Sequence, residues 1–553
     1  MRRFAAAPVL IVLAAALSAG APQVPPRDAG QPKPATAVIR GRVIAADTGA
    51  PLRRARVTLS SPNLPSQRSV ETDLDGRYEF TDLPAGRYRV RAAKGQFVPL
   101  EFGQRRAFES GRTIDLADGA TLEKADLALP RGGVISGRIV DDLGDPVAWA
   151  RVSAMRPRYQ EGRRRLVTVG RSVVTNDLGE YRLYGLSPGT YAVGTIPGPS
   201  GDGYPFAPAY YPGTQNPAQA RSVVVGLGQE RAGIDLMQPL GGLVTVSGIL
   251  IDSRGRSLAG ATIGVVDVGF GSLLWGPPPN PDGTFTIANL APGEYGLAAM
   301  VTDPASGRRD SVMVPLTVVA DDISGLVVRF VPGSRITGHV VTESGGVPPF
   351  APAELRVDVT PLPSGLPSRL PTGALGSTRG NVNADWTFEL GGVAGSILFR
   401  IGTLPQGWML RSVLLDGRDI TDTPLDVHGT EDISGLQVVV TDRVTEVGGT
   451  VAGEKGEPLQ EYAVVVFAED ASRWVWPSRF IATARPDQAG AFKFSNLPPA
   501  RYLVVALDYL EEGASDDPEF LESLRPKATR VTLGDGETVA LQLKLTRLDG
   551  LPR

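Results

Sequence analysis

The side chains best able to do chemistry are few in this chain, and their spacing argues against catalysis. Only two histidines occur among the 553 residues, His339 and His428, and there is no cysteine. Protein zinc sites draw on histidine or cysteine almost without exception. His428-Gly429-Thr430-Glu431 has the bare His-x-x-Glu spacing of a metallopeptidase ligand pair, but no later histidine completes it and no His-Glu-x-x-His is present. His339 follows Gly338 in an apolar stretch and reads as a strand-face residue. A serine nucleophile on a sharp elbow needs Gly-x-Ser-x-Gly; the nearest approach, Gly198-Pro199-Ser200-Gly201, has the wrong spacing. Asp73-x-Asp75-Gly76 offers carboxylates to calcium but lacks the distal glutamate of a calcium loop. The expectation is a protein with no catalytic residues, no metal ligands and no cofactor.

What remains is aromatic. Tyr204, Phe206, Tyr210 and Tyr211 fall in one long insertion, Trp474 and Trp476 in another, and Trp275 precedes the run Pro277-Pro278-Pro279. Flat aromatic faces on loops suit stacking on sugar rings and also anchor protein interfaces. The plainer alternative is that each ring folds back over its own domain as a small satellite core. Trp386 joins the candidates for a different reason, given below. One basic cluster, Arg156, Arg158, Arg163, Arg164, Arg165 and Arg171, reads as the solvated hairpin of a sheet edge, or else as a dock for an anionic polymer.

These residues must be held by a repeated framework. An apolar-x-Gly-x-apolar strand recurs at Gly41, Gly137, Gly248, Gly338 and Gly449, roughly 90 to 110 residues apart. That period is the length of one β-sandwich of the immunoglobulin kind. Gly41 and its counterparts mark a bulge or a close backbone approach. A second signature pairs Asp73 with Gly76, Asn176 with Gly179, Asn280 with Gly283 and Asp487 with Gly490, the chemistry of a tight hairpin turn. The fourth copy has Asn383 but Trp386 in place of glycine, so this hairpin is expected to be rearranged or to expose its tryptophan. Tyr78 and Phe80, and their equivalents in each copy, alternate as one inward strand face. Tyr88, Tyr191, Tyr295 and Tyr502 follow a second turn, where a tyrosine hydroxyl commonly ties back to the backbone.

The stretches Val38 to Leu59 and Asp73 to Tyr88, with their repeats, resemble the carboxypeptidase regulatory-like domain family, a transthyretin-like sandwich similar also to starch-binding-like domains. The resemblance implies an accessory or binding module and specifies fold better than function.

The chain is therefore expected to be all-β: about five tandem immunoglobulin-like or transthyretin-like sandwiches forming a rod after a signal peptide. The expected divisions are a signal peptide at 1–21, a Pro-rich linker at 22–37, and sandwiches at 38–131, 132–241, 242–333, 334–442 (divergent) and 443–553. Arg2 and Arg3, an apolar run and small residues to Ala21 carry the signal-peptide reading. No later run is long enough to span a membrane as a helix. With 56 basic and 59 acidic side chains the net charge is −3, which gives no general attraction to nucleic acid. The expected address is the periplasm, cell surface or exterior. The expected partner is a polysaccharide or an envelope protein. The expected function is a non-catalytic envelope binding protein that holds carbohydrate through its aromatic loops; a structural or protein-interaction stalk, and more remotely a peptidase accessory protein, are the alternatives.

Overall fold

The computed structural model describes residues 36–548 apart from short internal stretches, of which 197–207 and 363–378 are the longest. The expected signal peptide, most of the linker, and the aromatic candidates Tyr204 and Phe206 lie outside the described residues. Five separate hydrophobic clusters follow one another along the sequence, the first built around Ile39 and Phe80, the last around Val447 and Phe492. The first four each fill the space between two small sheets, the fifth is enclosed by a single seven-stranded sheet, and each unit is here called a module.

The same strand trio opens every module. Ala37–Ala45 pairs antiparallel with Arg77–Leu83 and parallel with Leu127–Leu129. Gly133–Asp141 does so with Glu180–Leu186 and Leu236–Gln238, and Val244–Ile251 with Thr284–Leu290 and Ile323–Arg329. Ser334–Thr342 and Glu446–Ala452 repeat the arrangement in the fourth and fifth modules. The parallel neighbour explains the recurring glycine. A β-carbon on Gly41 would lie 2.3 Å from the Ala125 carbonyl oxygen, and on Gly248 2.0 Å from that of Leu326. No side chain fits between backbones that close, so the signature records a close approach.

The second sheet faces the first. In module one Arg56–Ser60 lies between Arg68–Glu71 and Gly86–Ala93. Tyr78 and Phe80, Tyr181 and Leu183, Phe285 and Ile287, Phe388 and Leu390, and Phe492 and Phe494 are all buried, as their alternation requires. The corner tyrosines tie back four residues: Tyr88 Oη donates to Pro84, Tyr191 to Ser187 at 2.6 Å, Tyr295 to Ala291 at 3.0 Å and Tyr502 to Pro498 at 2.6 Å.

The hairpin turns close as their sequences specify. Asp73 Oδ1 accepts from the Asp75 and Arg77 amides at 2.9 and 2.8 Å, and Gly76 takes a left-handed φ of 74°. Trp386 departs from both expectations for it. The hairpin is kept, with the Trp386 amide donating to Asn383 O at 2.9 Å and a left-handed φ of 66°. Its indole is buried, edge-on to Phe350 at 5.5 Å, with Trp408 beyond Phe350 at 5.2 Å. The Pro348-Pro349-Phe350 turn, longer than its counterparts, supplies the aromatic partner that offsets the backbone strain. Trp386 is therefore core, not a surface contact.

Module five carries a layer the sequence reading did not anticipate. Ala463–Ala468 is buried at every position, and so is Tyr502 to Leu507. The outer face is covered by Leu521 and Leu524 of a short helix, Pro518–Leu524, with Trp474 and Leu510. Asp517 caps that helix through its side chain, and Pro518 occupies its first turn.

The serial sandwiches are present, joined by short connections, and the chain also doubles back on itself. Module five folds back onto modules one and two. Glu109 and Glu511 form an antiparallel backbone bridge, the Glu512 amide donates to Phe108 O at 2.9 Å, and Tyr509 Oη donates to Ala107 O at 2.8 Å. Complementary charge reinforces this contact.

Candidate binding cleft between the second and fifth modules

The arginine cluster of module two lies along the hairpin formed by Arg151–Gln160 and Arg163–Val174. The hairpin is a sheet edge, with Arg163, Arg164 and Arg171 exposed, but it is not wholly solvated. Arg156 meets Glu511 at 3.3 Å, Arg158 meets Glu512 at 3.6 Å, and Arg164 reaches Asp517 at 3.1 Å and Glu519 at 3.3 Å. The anionic polymer that this stripe docks is the chain's own segment 511–519. Hydrogen bonding to Asp517, reinforced by the charges of Asp517 and Glu519, holds the Arg164 guanidinium above its ordinary range. Burial, with the same carboxylates nearby, pushes the Tyr159 phenol up.

Module one supplies the third side of this junction. Arg106 pairs with Asp508 at 3.1 Å, Arg105 pairs with Glu461, and Arg112 donates to Gln460 O at 2.7 Å. Arg485 of module five reaches the buried Glu109 carboxylate at 2.9 Å; that carboxylate also accepts from the Arg105 and Arg106 amides at 2.7 and 2.9 Å. A buried charge so fully partnered fixes geometry more than it adds stability. Phe108, at a left-handed φ of 64°, inserts its ring between Arg156 and Tyr191. Module four is tied on by Arg479 to Asp422 at 2.7 Å and Arg400 to Pro477 O at 2.9 Å.

Where the hairpin of module two meets the covering layer of module five, a cleft of about 700 Å³ opens. Tyr159, Gly162 and Arg163 form one wall, Trp474, Val475, Trp476 and Pro518 the other, with Glu519 and Glu522 alongside and Leu362 from module four. The lining is mostly apolar with a few charged groups, the usual composition of a small-ligand site, and the volume falls in the usual range. A β-carbon on Gly162 would lie 3.9 Å from that of Trp476, so the two walls touch at this point.

The aromatic candidates separate clearly. Trp474 and Trp476 come together in the cleft. Trp474 is itself buried, its Nε1 donating to Ala468 O at 2.8 Å and its ring edge-on to Phe467, so mainly Trp476 and the exposed Val475 present surface. Tyr210 packs with Met155 and Ala192 in a satellite cluster, and Tyr211 rests on the core of module two. Both follow the plainer alternative of loop rings that cover their own domain. Trp275 is half exposed on the edge strand Leu273–Trp275 of module three and does not line the cleft.

Tyr159 and the Glu519–Glu522 pair were not foreseen as site residues, and Arg163 only as one of the basic cluster. The only sequence signal for them was charge complementarity between the arginine hairpin and the acidic run from Glu511 to Glu519. Among the described residues no group of three or more His, Asp or Glu could hold a metal ion, and His428 pairs with its neighbour Glu431, Nδ1 to Oε1, at 3.5 Å. No helix of the described chain is long and apolar enough to cross a membrane.

Comparison with known proteins adds the following. Over 64 residues the chain is 41% identical to the TonB-dependent transporter Oar of Myxococcus xanthus, a match spanning 12% of this chain and 6% of that one. Among solved structures it is similar to a streptococcal ancillary pilin (16% identity, 53% of this chain and 98% of that one, TM-score 0.20). It is also similar to the major pilin BcpA of Bacillus cereus (12% identity, 53% and 99%, TM-score 0.14). Structural likenesses of this order carry no argument about function. The carboxypeptidase regulatory-like domain family matches residues 38–130, which span the whole first hydrophobic cluster and its strand trio. Module one, with its glycine-centred opening strand, Asp73–Gly76 turn and Tyr88 corner, is the part of the chain that matches the carboxypeptidase regulatory-like domain family.

Proposed function

We propose that this protein is a non-catalytic, multi-module binding protein of the cell envelope that holds a carbohydrate chain in the cleft between its second and fifth modules. The observation that carries this reading is the convergence of Tyr159, Val475 and Trp476 on one cleft with Arg163, Glu519 and Glu522 beside them. The two faces of a pyranose ring are apolar and stack on aromatic surfaces, while its hydroxyls need hydrogen-bonding groups in the ring plane. The cleft supplies both. The exported, envelope address rests on the leader-like start of the sequence and accords with the TonB-dependent transporter among the relatives.

The test is a glycan array on the full chain followed by titration calorimetry. Binding to at least one polysaccharide class is expected, with Trp476→Ala and Tyr159→Ala each weakening it at least about tenfold, since base- or sugar-sized stacking contacts contribute on the order of 1–3 kcal/mol. No binding to any glycan overturns the reading.

A second reading, an interaction stalk, is favoured by one feature. Leu143, Trp149 and Leu178 stand exposed on three turns of module two, Trp149 at 72% exposure and a left-handed φ of 63°. Under that reading Trp149→Ala, not Trp476→Ala, abolishes capture of an envelope protein.

A further inference from the structure

We infer that the cleft is a clamp: it exists only while module five is docked on modules one and two, and ligand binding and docking are energetically coupled. This rests on the reading that the cleft binds carbohydrate, and it names how that binding is controlled.

The two walls of the cleft belong to parts of the chain far apart in sequence. Tyr159 and Gly162 sit on the hairpin of module two; Trp476 and Glu519 sit on module five, more than 300 residues later. The covalent path between them runs through modules three and four, so the walls are held together by docking alone. Much of the rim of that docking is ionic. Arg164 is more than half exposed, and Arg105 is 72% exposed opposite Glu461. Exposed pairs of this kind contribute little each and are screened by salt. Glu109 with Arg485, and Arg156 with Phe108 and Glu511, are substantially withdrawn from water, and the Glu109–Glu511 backbone bridge, the Glu512 amide and Tyr509 Oη add uncharged hydrogen bonds. An interface with two buried anchors and a charged rim opens and closes more readily than a sandwich core unfolds.

A ligand lying between Tyr159 and Trp476 touches both walls and so binds the docked form alone. It must then favour docking by the same free energy by which docking favours its binding. Salt that weakens the ionic rim must weaken the ligand, beyond any direct effect of salt on an uncharged sugar. A single-walled site would show neither dependence.

The experiment combines X-ray scattering of the full chain with titration of soluble hexasaccharides of the β-1,4-glucose, β-1,4-N-acetylglucosamine and α-1,4-glucose types. The charge-reversed chain Arg156→Glu/Arg164→Glu should have a larger radius of gyration than the wild type and bind the best of these hexasaccharides at least about tenfold more weakly. Its sandwiches should keep their circular dichroism. Arg156→Lys/Arg164→Lys, which keeps the charge, should stay compact and lose less affinity. Addition of the hexasaccharide should shift the reversed chain back toward the compact form. Unchanged scattering of the reversed chain overturns the ionic clamp whatever the ligand does. An opened chain with unchanged affinity overturns the coupling. A wild type that binds none of the three but opens on charge reversal refutes the carbohydrate reading and the coupling with it, leaving the docking itself established.

Discussion

The guanidinium of Arg156 lies 3.7 Å from the centre of the Phe108 ring and also meets Glu511 at 3.3 Å. These residues belong to modules two, one and five, so a single stack pins three sandwiches at one point. Phe108 reaches it through a left-handed backbone that a phenylalanine rarely adopts. A strained residue kept at a junction indicates that the junction, not the loop, determines its conformation.

Phe108→Ala removes the ring from under Arg156 and from beside Tyr191. Docking of module five should weaken by about 2 kcal/mol, the combined loss of a partly desolvated cation–π contact and apolar packing. Hydrogen exchange measures it directly: the Glu512 amide, which donates to Phe108 O, should lose protection while the amides of the core strands keep theirs.

The corner tyrosines offer an internal comparison. Tyr191→Phe and Tyr502→Phe each strand a carbonyl, those of Ser187 and Pro498, at a cost of about 1 kcal/mol in the stability of the host module. Module four has Ile397 at the matching place and closes without such a tie. Local exchange rates near each corner, rather than one global melting curve, are the proper readout in a chain of several modules.

The recurring strand glycines should be intolerant in a way turn glycines are not. Gly338→Ala would put a β-carbon 2.3 Å from Leu436 O, forcing the parallel strands apart at a cost of about 2–3 kcal/mol. Gly345, at φ 80° with open space around it, should lose only about 1 kcal/mol on the same change. Guanidinium midpoints of the two variants, followed by the fluorescence of the neighbouring Trp386, give the comparison.

Asp516 supplies a pH prediction. Burial holds its carboxyl above the usual carboxylate range, so the folded chain protonates it more readily than the unfolded chain does. Below the unfolded value the group is neutral in both states and costs nothing. As the pH rises through the folded value, ionisation in a partly dry site reduces stability. Asp516→Asn should therefore raise the melting temperature of module five at about pH 7, with the gain gone near about pH 3. An equal gain at both values contradicts the assignment.

Much of this architecture was legible because local rules repeat. Asp73 and Gly76 define a turn by their own chemistry, and Gly41 marks a close approach that recurs wherever a parallel strand returns. Tyr88 announces its corner. The failures came from partners distant in sequence. Trp386 looked exposed because its packing partner, Phe350, sits in a turn of unusual length. The arginine hairpin looked solvated because its carboxylates lie more than 340 residues downstream. The helix Pro518–Leu524 was missed, although Asp517-Pro518 is a helix start and the unbroken apolar run Ala463–Ala468 signals a strand covered on both faces. Of the candidate site, Trp474 and Trp476 could be seen from composition alone. Tyr159 could not, since only the docking brings it opposite them.

The most direct test of that docking uses the absence of cysteine from the chain. A β-carbon on Gly162 falls 3.9 Å from that of Trp476, within the span a disulfide requires. Gly162→Cys/Trp476→Cys should form an intramolecular disulfide in most molecules under mild oxidation, seen as a mobility shift on non-reducing electrophoresis that reductant reverses. No cross-link, or cross-links only between chains, would mean that module five does not rest on module two and that the cleft is not there.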